Sequence, residues 1–184
     1  MEKRLRRLVY TLIVGICLLL AACAMSTRTR AVIRPIALTR PTDYRQAAYL
    51  GFFSAQKSFR LTDIEAQIVV LEVFQAGCSH CRDQVADLKE LYHELNEAGL
   101  SSQIKIIGLG FGEELAGVEE FGRRQAIPYP LFADPLRNKV RVKNIPVTFI
   151  LALNPEGARV LYEYHGLLPG TEALIKLMRQ ELDS

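Results

Sequence analysis

Cysteine is scarce in this chain of 184 residues: there are four, at positions 17, 23, 78 and 81. A secreted domain stapled by structural disulfides would carry more. Histidine is scarcer still, with His80, His93 and His165 scattered along the sequence. Without a second cysteine pair, the ligands for a tetrahedral structural zinc site are not there. The uncharged run Leu8 to Ala22 falls short of the ~20 apolar residues that make a comfortable membrane span. An excess of one charge is also missing once the N-terminus is set aside. Residues 1–22 hold four of the 23 lysines and arginines and one of the 20 acids, which leaves 19 of each. The basic isoelectric point therefore gives no reason to expect a nucleic-acid partner. No internal repeat or low-complexity segment is visible.

What is present begins with a basic stretch, Lys3, Arg4, Arg6 and Arg7, followed by that short apolar run. This is the order of an export signal. Leu20-Ala21-Ala22-Cys23 closes it and resembles the lipobox of bacterial lipoproteins. The resemblance implies removal of residues 1–22, a lipid on Cys23, and a location in the cell envelope facing the periplasm. Ala24 rather than Asp after the cysteine implies the outer membrane where a cell has two. Residues 23–57 then read as a solvated tether, basic in its first half and broken by Pro35 and Pro41. Within it, Thr42 or Asp43 caps a short helix through Leu50, ended by Gly51.

The chain is organised around Ile68-Val69-Val70-Leu71-Glu72-Val73-Phe74-Gln75-Ala76-Gly77-Cys78-Ser79-His80-Cys81. A β-branched apolar run of this length predicts a strand buried on both faces. After the second cysteine, Val85, Leu88, Leu91, Tyr92 and Leu95 recur on one helical stripe opposite a charged face. Two thiols therefore sit where a buried strand passes into the first turn of a helix. The unpaired N–H groups and partial positive charge there favour a thiolate. A thiolate attacks disulfides, and a second cysteine three residues on resolves the mixed disulfide. This reads as a dithiol/disulfide oxidoreductase that needs no cofactor.

Around this unit, Phe59 and Leu61 predict an edge strand, Gln103–Leu109 a second buried strand, and Glu113–Gln125 a helix with Leu115, Val118 and Phe121 inward. Tyr129–Pro135 is an extended segment ending in a turn. Asn154-Pro155-Glu156-Gly157 marks a hairpin between strands Val147–Leu153 and Ala158–Tyr164, and Thr171–Leu182 closes the chain as a helix. Gly108-Leu109-Gly110-Phe111-Gly112 does not have the spacing of a dinucleotide loop and reads as a flexible strand-to-helix connection.

A strand–Cys-x-x-Cys–helix unit followed by Ile145-Pro146-Val147-Thr148-Phe149 resembles the thioredoxin superfamily, over residues 58–184. The extra helix and the leading Phe-x-Leu strand narrow the likeness to membrane-tethered, periplasm-facing members related to the peroxiredoxin-like family. The resemblance implies an α/β fold with a central mixed sheet flanked by helices. It implies a cis Pro146 facing the dithiol, and a backbone at Ile145 free to pair with an extended substrate. Protein dithiols and disulfides would be the partners, with a membrane or soluble thiol protein exchanging electrons. Glu72 takes the place of the buried acid that relays protons for the second cysteine, and burial of an unpaired charge argues for such a role. His80 matches the Cys-x-His-Cys of oxidases and isomerases and would tune Cys78 toward the thiolate.

Two departures mark the motif. Gly77 stands where thioredoxins carry tryptophan, and Gln84 where tethered reductases carry glutamate. A rival reading makes the chain a copper-handling chaperone with Cys78, Cys81 and His165 as soft ligands. A peroxidase would want a threonine where Gln75 stands.

Overall fold

A computed structural model describes residues 32–33, 36–53 and 56–183. The signal segment 1–22 and Cys23 lie outside the described residues. The strands are β1 (Val32–Ile33), β2 (Ala37–Thr39), β3 (Ser58–Arg60), β4 (Ile68–Phe74), β5 (Ile104–Phe111), β6 (Leu131–Asp134), β7 (Val147–Asn154) and β8 (Gly157–His165). The helices are α1 (Tyr44–Tyr49), α2 (Ser79–Glu97), α3 (Leu115–Gln125) and α4 (Thr171–Leu182). A 3₁₀ turn spans Leu61–Asp63.

Six strands form one sheet in the order β1-β8-β7-β4-β5-β6. β5 runs parallel to β4, and β6 to β5, through helical crossovers. β7, β8 and β1 run antiparallel to their neighbours. This is the mixed sheet flanked by helices that the resemblance implied. β4 lies at its centre and all seven of its residues are buried, which is why its sequence shows no polar alternation. Its two faces pack differently. Val69, Leu71 and Val73 join Leu50, Phe52, Phe59 and Phe132 in one core. Ile68 and Val70 pack with Leu88, Leu91 and Leu95 of α2 and Leu174 and Met178 of α4, while Phe74 stacks on Phe121 of α3 at 4.6 Å.

The expected boundary at residue 58 is corrected. From Val32 on, the segment read as a tether is part of the domain. β1 pairs with β8, and β2 with β3 in a separate two-stranded sheet. Ile36, Leu38, Ala47, Leu50 and Phe52 are buried. Their apolar surface costs too much in water to be left on a solvated linker. The Tyr49 hydroxyl, from α1, accepts the Ile106 N–H at 2.8 Å, closing β5 where β6 has not yet begun to pair with it. Asp43 is the cap of α1, accepting the Gln46 N–H at 3.0 Å. Gly51 follows at φ +85°, a conformation that suits glycine. The strand around Phe59 therefore pairs with β2 instead of the edge of the main sheet. Leu115 is likewise exposed rather than inward, because α3 begins there and only Val118 and Phe121 of that helix are buried.

Candidate active site

β4 ends at Phe74, and four residues later Cys78 becomes the N-cap of α2, with its backbone extended at φ −78° and ψ 122°. The Cys78 sulfur accepts the Cys81 N–H at 3.2 Å. One of the helix's four unpartnered amides is thus directed at the first sulfur, where it favours negative charge. Both thiols are free; Cys78 is half-buried and Cys81 fully buried. Burial pushes the Cys81 thiol up to about 12, the contact with Cys78 adds to this, and the charge of Glu72 contributes a smaller part. The pair is therefore unequal: one sulfur is accessible and held by an amide, and the other is hidden and reluctant to ionise.

The loop before the motif is pinned from both sides. Cys78 N–H donates to the Gln75 carbonyl at 3.1 Å. The Gln75 side-chain amide donates to the Phe111 carbonyl at 3.1 Å, and Ala76 N–H to Glu113 Oε1 at 2.9 Å. The glycines expected to form a flexible connection instead permit close approach. A Cβ on Gly110 would stand 2.6 Å from Val118 Cγ2 and 2.9 Å from Glu113 Cβ. Gly77, where thioredoxins carry tryptophan, is exposed, and a Cβ there would meet nothing within 4 Å.

Beneath the dithiol lies a buried polar group. Glu72 is wholly buried on the α2-facing side of β4, opposite Thr148 on β7 and Gly108 on β5. Tyr129 Oη donates to Glu72 Oε2 at 3.3 Å. Desolvation pushes the carboxyl up to about 8, and the Tyr129 hydroxyl and the Gln84 side chain only partly offset it. Gln84, also wholly buried, reaches down from α2, and its Nε2 donates to Thr148 Oγ1 at 2.9 Å. Glu72 Oε1 and Gln84 Oε1 have no hydrogen-bond partner. One proton held on Glu72 reduces this mismatch, because it turns an acceptor into a donor.

The Ile145–Pro146 peptide is cis. Pro146 is buried and its carbonyl accepts the Gly166 N–H at 3.0 Å. Ile145 is half-buried and packs in the same apolar cluster as Cys78 and Cys81. Among the described residues, its backbone makes no hydrogen bond. His80 is exposed on the first turn of α2. His165 is an exposed strand-end residue paired with Glu163 at 3.0 Å. Cys78, Cys81 and His165 do not converge as a three-ligand group among the described residues.

The structure thus brings together Cys78, Cys81, Glu72 and Ile145, and adds Tyr129, Thr148, Gln84, Gln75 and Glu113. Thr148 lies inside the Ile-Pro-x-Thr-Phe motif, and Gln84 was visible as a departure from a pattern. Tyr129 and Glu113 gave no sequence signal, because each works across a gap of 37 residues or more.

A dithiol that caps the helix leaving the central strand, packed against a cis-proline segment, defines a thioredoxin-like protein. Within that class the chain belongs to the AhpC/TSA family, which it matches over residues 50–151. It is 25% identical over 108 residues to a thiol-disulfide oxidoreductase ResA of Geobacillus thermodenitrificans, a match covering 57% of this chain and 60% of the relative. The chain thus spans less than two thirds of that relative's length. In fold it is similar to a thiol:disulfide interchange protein from Bacteroides sp., with a TM-score of 0.58, 17% identity and 84% and 91% of the two chains covered. It is also similar to StoA of Bacillus subtilis, with a TM-score of 0.56, 15% identity and 79% and 98% covered.

Proposed function

We propose that this protein is a thiol-disulfide oxidoreductase, exported and lipid-anchored at Cys23, that exchanges disulfides with protein substrates on the outer side of the cytoplasmic membrane. The observation that carries the activity is the inequality of the two sulfurs. The Cys78 thiolate attacks a partner disulfide, forms the Cys78–partner bond and expels one partner thiolate. Cys81 then passes its proton to the Glu72 carboxylate and attacks the Cys78 sulfur. The second partner thiolate leaves, and the Cys78–Cys81 disulfide remains. Two electrons pass from the dithiol to the partner, whose thiolates take up protons; an external dithiol restores the enzyme, and every step runs in reverse for oxidation. Glu72 suits the relay because its charge is felt by Cys81 and burial pushes its carboxyl up to about 8, where it can both take and return a proton. Gln84 suits either state of Glu72, since its amide offers a carbonyl to the protonated acid and an NH₂ to the ionised one, with the Thr148 hydroxyl complementing both. The unpaired backbone of Ile145 supports pairing with an extended partner chain.

The first test is the reduction potential of the Cys78–Cys81 pair in glutathione and dithiothreitol buffers. A value near ~−270 mV supports a reductase fed by another dithiol, and one toward ~−120 to −180 mV an oxidase or isomerase with His80 as the cause. A pair that exchanges with neither buffer overturns the proposal. Metabolic labelling with a fatty acid, lost in Cys23→Ser, tests the anchor.

A further inference from the structure

The stretch that leads into Ile145 carries charge of one sign. Between Asp134 and Glu156 there is no acid, while Arg137, Lys139, Arg141 and Lys143 occupy alternate positions. The segment is fixed in place. The buried Asp134 carboxylate accepts Asn138 N–H at 3.1 Å and Lys139 N–H at 3.2 Å, its carbonyl accepts Arg137 N–H at 3.1 Å, and Val140 is buried in the core. The four cations stay outside: Arg137, Arg141 and Lys143 are exposed and Lys139 half-exposed. Among the described residues none of the four is in an ion pair. Arg137 lies over the Phe111 ring at 5.4 Å and against Gly112. This places it on the loop whose Phe111 carbonyl holds Gln75, three residues before Cys78. Glu113, the next residue of that loop, accepts the Ala76 N–H.

We propose that Arg137, Lys139, Arg141 and Lys143 form a specificity surface that selects protein disulfides flanked by acidic residues. The inference rests on the thiol-disulfide exchange reading and names the partner's chemistry. The cationic segment runs directly into Ile145 in sequence, so a partner chain held at Ile145 beside Cys78 brings the residues flanking its disulfide toward these cations. Unpaired like charges at the rim of a site raise the encounter rate with opposite charge and oppose their own sign, and salt screens both effects. The surface therefore acts on kcat/KM and leaves the redox equilibrium of Cys78 and Cys81 alone.

The test uses the full chain, reduced, with two peptides that differ only in whether Asp and Glu or Lys and Arg flank one intramolecular disulfide. Stopped-flow rates are read at low and high salt. The acidic peptide is expected to react about tenfold faster or more at low salt, with the ratio collapsing toward one at high salt. Lys139→Ser/Arg141→Ser/Lys143→Ser is expected to remove most of that ratio without shifting the reduction potential. Equal wild-type rates for the two peptides overturn the proposal, as does a preference that survives the triple substitution. So does binding to anionic lipid vesicles that the triple substitution abolishes while the peptide ratio is unchanged, which assigns the cations to a membrane surface. A small uncharged disulfide serves as control: if it too fails to react, the oxidoreductase reading itself falls, and that failure is distinguishable from loss of charge selectivity.

Discussion

Glu72 and Thr148 face each other across β4 and β7 in a wholly buried row, and the Gln84 side chain closes the space between them and α2. The Gln84 amide is a donor that the ionised carboxylate can use where water cannot enter. Gln84→Leu removes it and leaves Tyr129 as the remaining donor to Glu72, so the carboxyl should move above its value of about 8. The expected result is slower resolution of the mixed disulfide at pH 8, recovered at higher pH. A pH–rate profile of the single-turnover reaction checks this, and a general loss of structure would lower the plateau without moving the midpoint.

Glu72→Gln should act on both rate and stability. The unfolded carboxyl titrates near 4.5 and the folded one near 8. Below the lower value both states hold the proton and the group costs nothing in ionisation. Between the two, the unfolded chain releases its proton and the folded chain does not. Folding therefore weakens by up to about 1.4 kcal/mol per pH unit and levels off above about 8. Glu72→Gln removes this slope, so it should be more stable than wild type at pH 8 and little changed at pH 4, read by urea melts. At the same time the resolution step should slow about a hundredfold, the usual scale of a lost general base. A stabilised protein with slowed resolution is the signature of a residue kept for chemistry.

The two sulfurs should also be separable by alkylation. Cys81 ionises only toward pH 12 and is buried, whereas Cys78 is half-buried and accepts a helix amide. Brief iodoacetamide treatment of the reduced protein at pH 7 should label Cys78 and spare Cys81, as read by peptide mass spectrometry. Cys81→Ser should accumulate a mixed disulfide with a partner, and Cys78→Ser should not, because the remaining thiol neither reaches the partner nor ionises.

Much of this was legible in the sequence, because it depended on local pattern. The β4 run, the α2 stripe, the Asn154–Gly157 turn and the Thr171–Leu182 helix each carry their own periodicity or punctuation, and the cysteine pair lies inside one of them. The parts that were not legible depend on distant partners. β1 is a strand because Val32 meets Arg159, and β2 because Ala37 meets Arg60; neither stretch has a pattern of its own. Gly110 looked like looseness because the Val118 and Glu113 side chains that crowd it come from the following turn and helix. The acid at position 72 was visible, but its phenolic neighbour Tyr129, 57 residues away, was not.

The early segment gives the last prediction. A chain beginning at residue 56 lacks Ile36, Leu38, Ala47, Leu50 and Phe52, all buried. It exposes the faces of Phe59, Val69, Leu71 and Phe149 that pack in the same core. Each lost large apolar side chain stabilises the fold by about 1.5–3 kcal/mol, and the sum is comparable to the whole stability of a typical domain, about 5–15 kcal/mol. The β5 edge also loses its Tyr49 hydroxyl and leaves the Ile106 N–H without its acceptor. The shortened chain should therefore aggregate or show no cooperative melt. A chain beginning at residue 24 should melt cooperatively and keep its dithiol reactive toward dithiothreitol. Circular dichroism melts of the two chains decide the point: a shortened chain as stable as the longer one would make β1, β2 and α1 a covering that the core does not need.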